Sequence, residues 1–74
     1  MSQRYDNYHL ENFDKLPDIA LVRISVVCKL IACSEPTIRR AVKKGEFPKP
    51  INPTTRTTCF LVSDIREFLK GRFS

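Results

Sequence analysis

Two sets of residues in this 74-residue chain have types and spacings that could do chemistry. The first is thiol and imidazole: Cys28, Cys33 and Cys59, with His9 as the single histidine. A zinc site takes four ligands, and His9 would have to be the fourth from a polar segment far from Cys28; the cysteine spacings fit no common zinc pattern. Nucleophilic catalysis by a thiol needs a base beside it, and nothing places His9 next to a cysteine. The cysteines therefore read as small hydrophobes, Cys28 and Cys33 as inert buried fillers, and no metal, cofactor or enzymatic step is expected.

The second set is cationic. Arg39, Arg40, Lys43 and Lys44 fall outside the stripe of Ile38, Ala41 and Val42 at helical offsets, so they share the polar side of one helix. Downstream, Arg56 sits among Thr54, Thr55, Thr57 and Thr58 with no apolar residue between them. Guanidinium, ammonium and hydroxyl groups in this pattern suit phosphate contacts, or an arginine entering a minor groove. The charge balance agrees. Thirteen Lys and Arg against eight Asp and Glu give +5, and residues 1–20 hold two cations and four acids, which leaves +7 on the other 54 residues. A basic body favours a polyanionic partner. No apolar run approaches the length of a membrane span and no secretory signal is present, so the expected setting is soluble, intracellular and reduced, with a nucleic acid as the default partner and no membrane.

The elements that must position these groups follow from local rules. A chain this short supports one small domain with a modest core, which excludes the large catalytic folds. Residues 1–12 are polar, with no sustained period, and read as a mobile arm; residues 13–74 form the domain. Phe13, Leu16, Pro17 and Ile19 are expected to fold back as a lid on the core. Leu21, Val22, Arg23 and Ile24 form a short extended segment, and Ser25 caps a helix over 26–32 that buries Val27, Cys28, Leu30 and Ile31, with a buried strand as the competing reading. Ser34 caps a second helix, with Glu35 where the dipole favours an acid and Pro36 where a missing N–H costs nothing; Gly45 ends it. Phe47 packs back on the core. Pro48, Pro50 and Pro53 confine Ile51 to an edge strand, which pairs with a strand over 59–62 in a hairpin. Ser63 or Asp64, with Glu67 in the capping-box position, starts a last helix that buries Ile65, Phe68 and Leu69. The predicted core is Val27, Ile31, Ile38, Val42, Phe60, Ile65 and Phe68.

At most two residues, Cys33 and Ser34, join the first two helices, so these cross steeply as a helix-turn-helix. The fold class is mainly α with a small β-hairpin: a winged helix-turn-helix. In that arrangement the second helix presents its first turn and polar side to the major groove, and the hairpin serves as the wing. The candidate DNA-binding residues are Ser34, Glu35, Pro36, Thr37, Arg39, Arg40, Lys43 and Lys44 on the helix, and Thr55, Arg56 and Thr57 on the wing.

The segments FDKLPDIALVRISVV, CSEPTIRRAVKKGEFPKPI and FLVSDIREFLKGR, running in order over 13–72, resemble the small AlpA-type regulators of phages and integrated elements. Those regulators stand with the excisionases on the winged-helix side of the MerR-like superfamily. The most specific matching residues are Ser34, Thr37, Ile38, Lys44, Gly45, Phe47, Pro48 and Pro50, followed by Phe60, Ser63, Asp64, Ile65, Phe68 and Leu69. The resemblance implies that the helix opening at Ser34 is the recognition helix and the loop around Arg56 the wing. This chain has Ala32 where the family commonly has Gly, a Thr run where the family wing is Gly-rich or basic, and Phe60 and Phe68 where Trp is frequent.

The resulting expectation is a sequence-specific DNA-binding regulator of a phage or mobile element, acting on double-stranded DNA in the cytoplasm of a bacterial host, next to the nucleoid. It would control transcription of integration and excision genes or act as an excisionase, a recombination directionality factor, with a recombinase or RNA polymerase as protein partner. The chain lacks the heptads of a coiled-coil dimer, so monomers are expected to self-associate on repeated sites, the acidic arm of one touching the basic body of the next. The alternative class is a protein-interaction module, an antirepressor or adaptor binding a host or phage protein through the N-terminal arm.

Overall fold

The computed structural model describes the backbone of residues 2–71 and the side chains of residues 6–71; Met1 and residues 72–74, included in the arm and domain expected from sequence, lie outside the described residues. In chain order the elements are α1 (Ser2–Glu11), a 3-10 turn (Phe13–Lys15), β1 (Leu21–Arg23), α2 (Ile24–Ile31), α3 (Glu35–Lys43), β2 (Ile51–Thr54), β3 (Thr57–Leu61) and α4 (Val62–Leu69). The three strands form one antiparallel sheet in the order β1-β3-β2, with Leu21, Val22 and Arg23 opposite Leu61, Phe60 and Cys59. Helix-turn-helix, hairpin and closing helix are the winged helix-turn-helix arrangement.

The arm read without regular structure is corrected to a helix. α1 lies against α2 and β1, with Asp6 buried, His9 and Leu10 half-buried and Phe13 buried just beyond its end. These four positions share one helical face, but an acid and an imidazole occupy half of it, so hydropathy shows no period. Asp6 is held by the Ser25 hydroxyl, which donates to its Oδ2 over 2.6 Å.

That bond also corrects the role given to Ser25. α2 begins at Ile24, after Arg23 in extended conformation and with no side-chain cap; Ser25 lies inside its first turn. Ile24 and Val26 join Val27 in the core, while Cys28, Leu30 and Ile31 are half-buried. The helix ends at Ile31, one residue earlier than expected, so the turn is Ala32, Cys33 and Ser34. Ala32 is left-handed, at φ 57 and ψ 43, and the Cys33 N–H donates to the Cys28 carbonyl at 3.1 Å. A Cβ in this region costs roughly 1–2 kcal/mol, partly offset by the backbone entropy a glycine would lose. Ala32→Gly should accordingly raise stability by about 0.5–1 kcal/mol in denaturant titration; a lowered midpoint would reject that account.

α3 follows the local rules closely. Ser34 is its cap, accepting from the Thr37 N–H at 3.4 Å and sharing a 2.8 Å hydroxyl pair with Thr37. At its far end Glu46 N–H donates to Ala41 O and Gly45 N–H to Val42 O, with Gly45 at φ 75. This double closure turns the chain back sharply. Phe47 then wedges between Phe60, 5.4 Å away and nearly perpendicular, and Phe68, 4.6 Å away. One aromatic side chain thus couples the end of α3 to the central strand and to α4.

β2 is the edge strand that its prolines require, and its register with β3 shifts between the Ile51–Cys59 and Thr54–Thr57 pairs. β3 starts at Thr57 and ends at Leu61, so Val62 belongs to α4. Neither Ser63 nor Asp64 caps that helix: its cap position is Leu61, and the Val62 and Ser63 N–H groups donate to the carbonyls of Ala20 and Asp18. The core comprises Phe13, Val22, Ile24, Val26, Val27, Ile38, Phe47, Phe60, Val62 and Ile65. Ile31, Val42 and Phe68, expected inside, are only partly buried against it. Leu69 is half exposed and Ile19 is 84% exposed, so Ile19 is no part of a lid, whereas Phe13 is.

Candidate nucleic-acid interface

α3 exposes Ser34, Glu35, Pro36, Thr37, Arg39, Arg40, Lys43 and Lys44, all eight of its nominated residues. With Ile38 buried and Ala41 and Val42 half-buried, the helical repeat sends Pro36 and Arg40 straight outward and sets Lys43 between them and the flank of Arg39. Thr37 and Lys44 lie on one flank, Glu35 and Arg39 on the other. The second flank faces the hairpin: Arg39, Val42 and Lys43 line an apolar furrow with Pro50, Thr58 and Phe60.

The hairpin tip is built rather than loose. Thr55 and Arg56 form a two-residue turn; Thr54 Oγ1 donates to Thr57 Oγ1 at 2.9 Å and accepts from the Arg56 N–H at 3.3 Å. Two of the threonines thus brace the turn, while the Thr55 and Arg56 side chains are exposed and Thr57 is half-buried. The Thr run expected to contact a partner is in part the scaffold of its own tip.

Helix and hairpin meet in an open cleft of about 260 Å³ whose walls include Glu35 and Arg39 from α3 and Arg56, Thr57 and Thr58 from the hairpin. Its floor is the β1–α2 junction, where Arg23, Ile24 and Ser25 line it. Arg23 was missing from the sequence-based set. It is a lone cation at a strand end, and only the pairing of β1 with β3, remote in sequence, brings it beneath the wing. Inside the cleft, Arg39 donates from both Nε and Nη2 to Glu35 Oε2, at 2.9 and 2.7 Å. Both side chains remain about half exposed, so this pair is weak and exchangeable.

The thiols take no part in this surface. Burial pushes the Cys28 thiol up, with Glu35 and Cys33 adding to the rise; burial also raises that of Cys59, against the lowering effect of Arg23. Both changes reduce the reactive thiolate. Cys59 is buried, whereas Cys28 and Cys33, expected as buried fillers, are half-buried. Among the described residues no group of three or more His, Cys, Asp or Glu could hold a metal ion, and no helix is long and apolar enough to cross a membrane.

Comparison with curated proteins and with solved structures gave no match. A family model described as Prophage CP4-57 regulatory protein (AlpA) matches residues 20–73. The matched segment takes in every element from β1 to α4, with the turn, the hairpin and the cleft between them, and leaves α1 outside. On that match, covering most of the chain, this protein belongs to the AlpA family of prophage regulatory proteins.

Proposed function

We propose that the chain is a sequence-specific DNA-binding regulator of a phage or mobile element, acting without an enzymatic step. The observation that carries this reading is the placement of the outward cations of α3 and the braced hairpin tip on either side of one arginine-lined cleft. α3 would enter the major groove, with Arg40, Lys43 and Lys44 meeting phosphates and Ser34, Pro36 and Thr37 nearest the base edges; Thr55, Arg56 and Thr57 would follow the adjacent groove. Membership of a prophage regulatory family supports the role. The reading extends to transcription of integration and excision genes, to an excisionase role alongside a recombinase, or to contact with RNA polymerase; these uses differ in where the bound sites lie. Genome-wide footprinting, reading promoters against attachment sites, separates them.

A surface this small suits several neighbouring sites filled by self-associating monomers. The acidic-arm contact between neighbours has competition within the chain, since Asp6 of the arm is engaged by Ser25.

With about four to six phosphates neutralised, log affinity for duplex DNA should fall with log salt at a slope near −4 to −5. Arg40→Ala should weaken binding and flatten that slope by about one. A wild-type slope shallower than about −2 would overturn the reading.

A further inference from the structure

The backbone of a duplex separates its major groove from its minor groove, so a protein that puts a helix in one and a hairpin in the other must house a sugar-phosphate strand between them. In this molecule that space is the cleft between α3 and the hairpin, and its chemistry is that of an anion site. Arginines from three separate elements line it: Arg23 on the floor, Arg39 on α3 and Arg56 at the hairpin tip. Thr57 and Thr58 of β3 line the same wall. The one acid among the lining residues is Glu35, and it holds Arg39 on a single carboxylate oxygen.

We propose that this cleft is a phosphodiester slot that grips the DNA backbone between the two grooves, with Arg23 as its base and Glu35 as a carboxylate stand-in that gives up Arg39 when phosphate enters. The inference rests on the DNA-binding reading and adds to it a residue at the β1–α2 junction and an exchange of partners. Three arginines against one carboxylate leave the slot positive, and the phosphate takes over the N–H donors that Glu35 occupies in the free protein. Glu35 therefore acts against binding of any sequence, rather than reading a base.

The test uses the full chain, a random-sequence duplex and a single-stranded oligonucleotide of equal length, titrated over a salt series. Arg23→Ala should weaken duplex binding roughly tenfold, to the same extent for duplexes of different sequence, and flatten the salt slope by about one. Lys29→Ala removes an equal charge from an exposed position on α2 that does not line the cleft, and should leave the slope where it was. Glu35→Gln should tighten binding several-fold on every duplex. Arg23→Gln, together with the thermal melt of each variant, separates loss of the slot from loss of the fold.

If Arg23→Ala and Lys29→Ala behave alike, the slot is overturned in favour of net charge. If Glu35→Gln weakens binding or reorders the preferred sequences, the stand-in role is overturned. Single strands bound as well as duplex would also overturn the slot, which requires a strand lying between two grooves. Failure of the underlying reading looks different, because Arg40→Ala would then be silent as well.

Discussion

Replacing Ile38 with alanine should lower the stability of the domain by about 2–4 kcal/mol, a large share of what a chain of this size has. Ile38 is 1% exposed and is the one fully buried side chain of α3. Removing it leaves a cavity beneath the helix that carries Arg39, Arg40 and Lys43, with Ala41 and Val42, both only half-buried, left to hold that face. The unfolding midpoint should fall on the order of 10 °C or more, and DNA affinity should fall with the folded population. Ile38→Val, which keeps most of the volume, should lose only about 0.5–1.5 kcal/mol. A midpoint within about 2 °C of wild type for Ile38→Ala would mean that the helix does not dock on the face assigned to it.

The sequence was most readable where structure is decided by neighbours. Ser34, Pro36 and Gly45 delimit α3 by local chemistry, and both ends form as those residues require. β2 is an edge strand because prolines leave it no other place. Readability failed where the partner is remote. α1 escaped because its docking face carries Asp6 and His9, so a hydropathy period cannot register it. The start of α4 escaped because carbonyls at 18 and 20 satisfy its first N–H groups, while Asp64 lies inside the helix rather than at its cap position.

The candidate site divides in the same way. The face of α3 follows from helical spacing alone, and every nominated residue on it is exposed. The cleft does not, because its floor comes from β1, whose place in the sheet depends on pairing across nearly 40 residues. Single cations such as Arg23 carry no local signal of their use. Arg66 is the same case, bracing the segment before β1 rather than the interface.

Arg66→Ala should lower stability by about 2–3 kcal/mol, a loss unusual for a residue on the polar side of a terminal helix. The guanidinium of Arg66 gathers the segment before β1: Nη2 donates to the carbonyls of Phe13, Asp14 and Leu16, at 3.1, 3.4 and 2.6 Å, and Nη1 pairs with Asp18. Its Cζ lies 5.6 Å from the centroid of the buried Phe13 ring. Water can replace only some of these contacts, since the bonds to Phe13 and Leu16 are partly buried. The segment in turn presents the carbonyls of Asp18 and Ala20 to the first N–H groups of α4, so losing the clamp loosens the helix start as well. Amide exchange at Val62 and Ser63 should therefore rise more than at Ile38, which sits in a different part of the core. Lysine offers one ammonium in place of a planar fork, and Arg66→Lys should recover less than half of the loss. Full recovery by lysine would reduce the clamp to a simple charge pair with Asp18, and unchanged exchange at Val62 and Ser63 in Arg66→Ala would uncouple it from the helix it is argued to start.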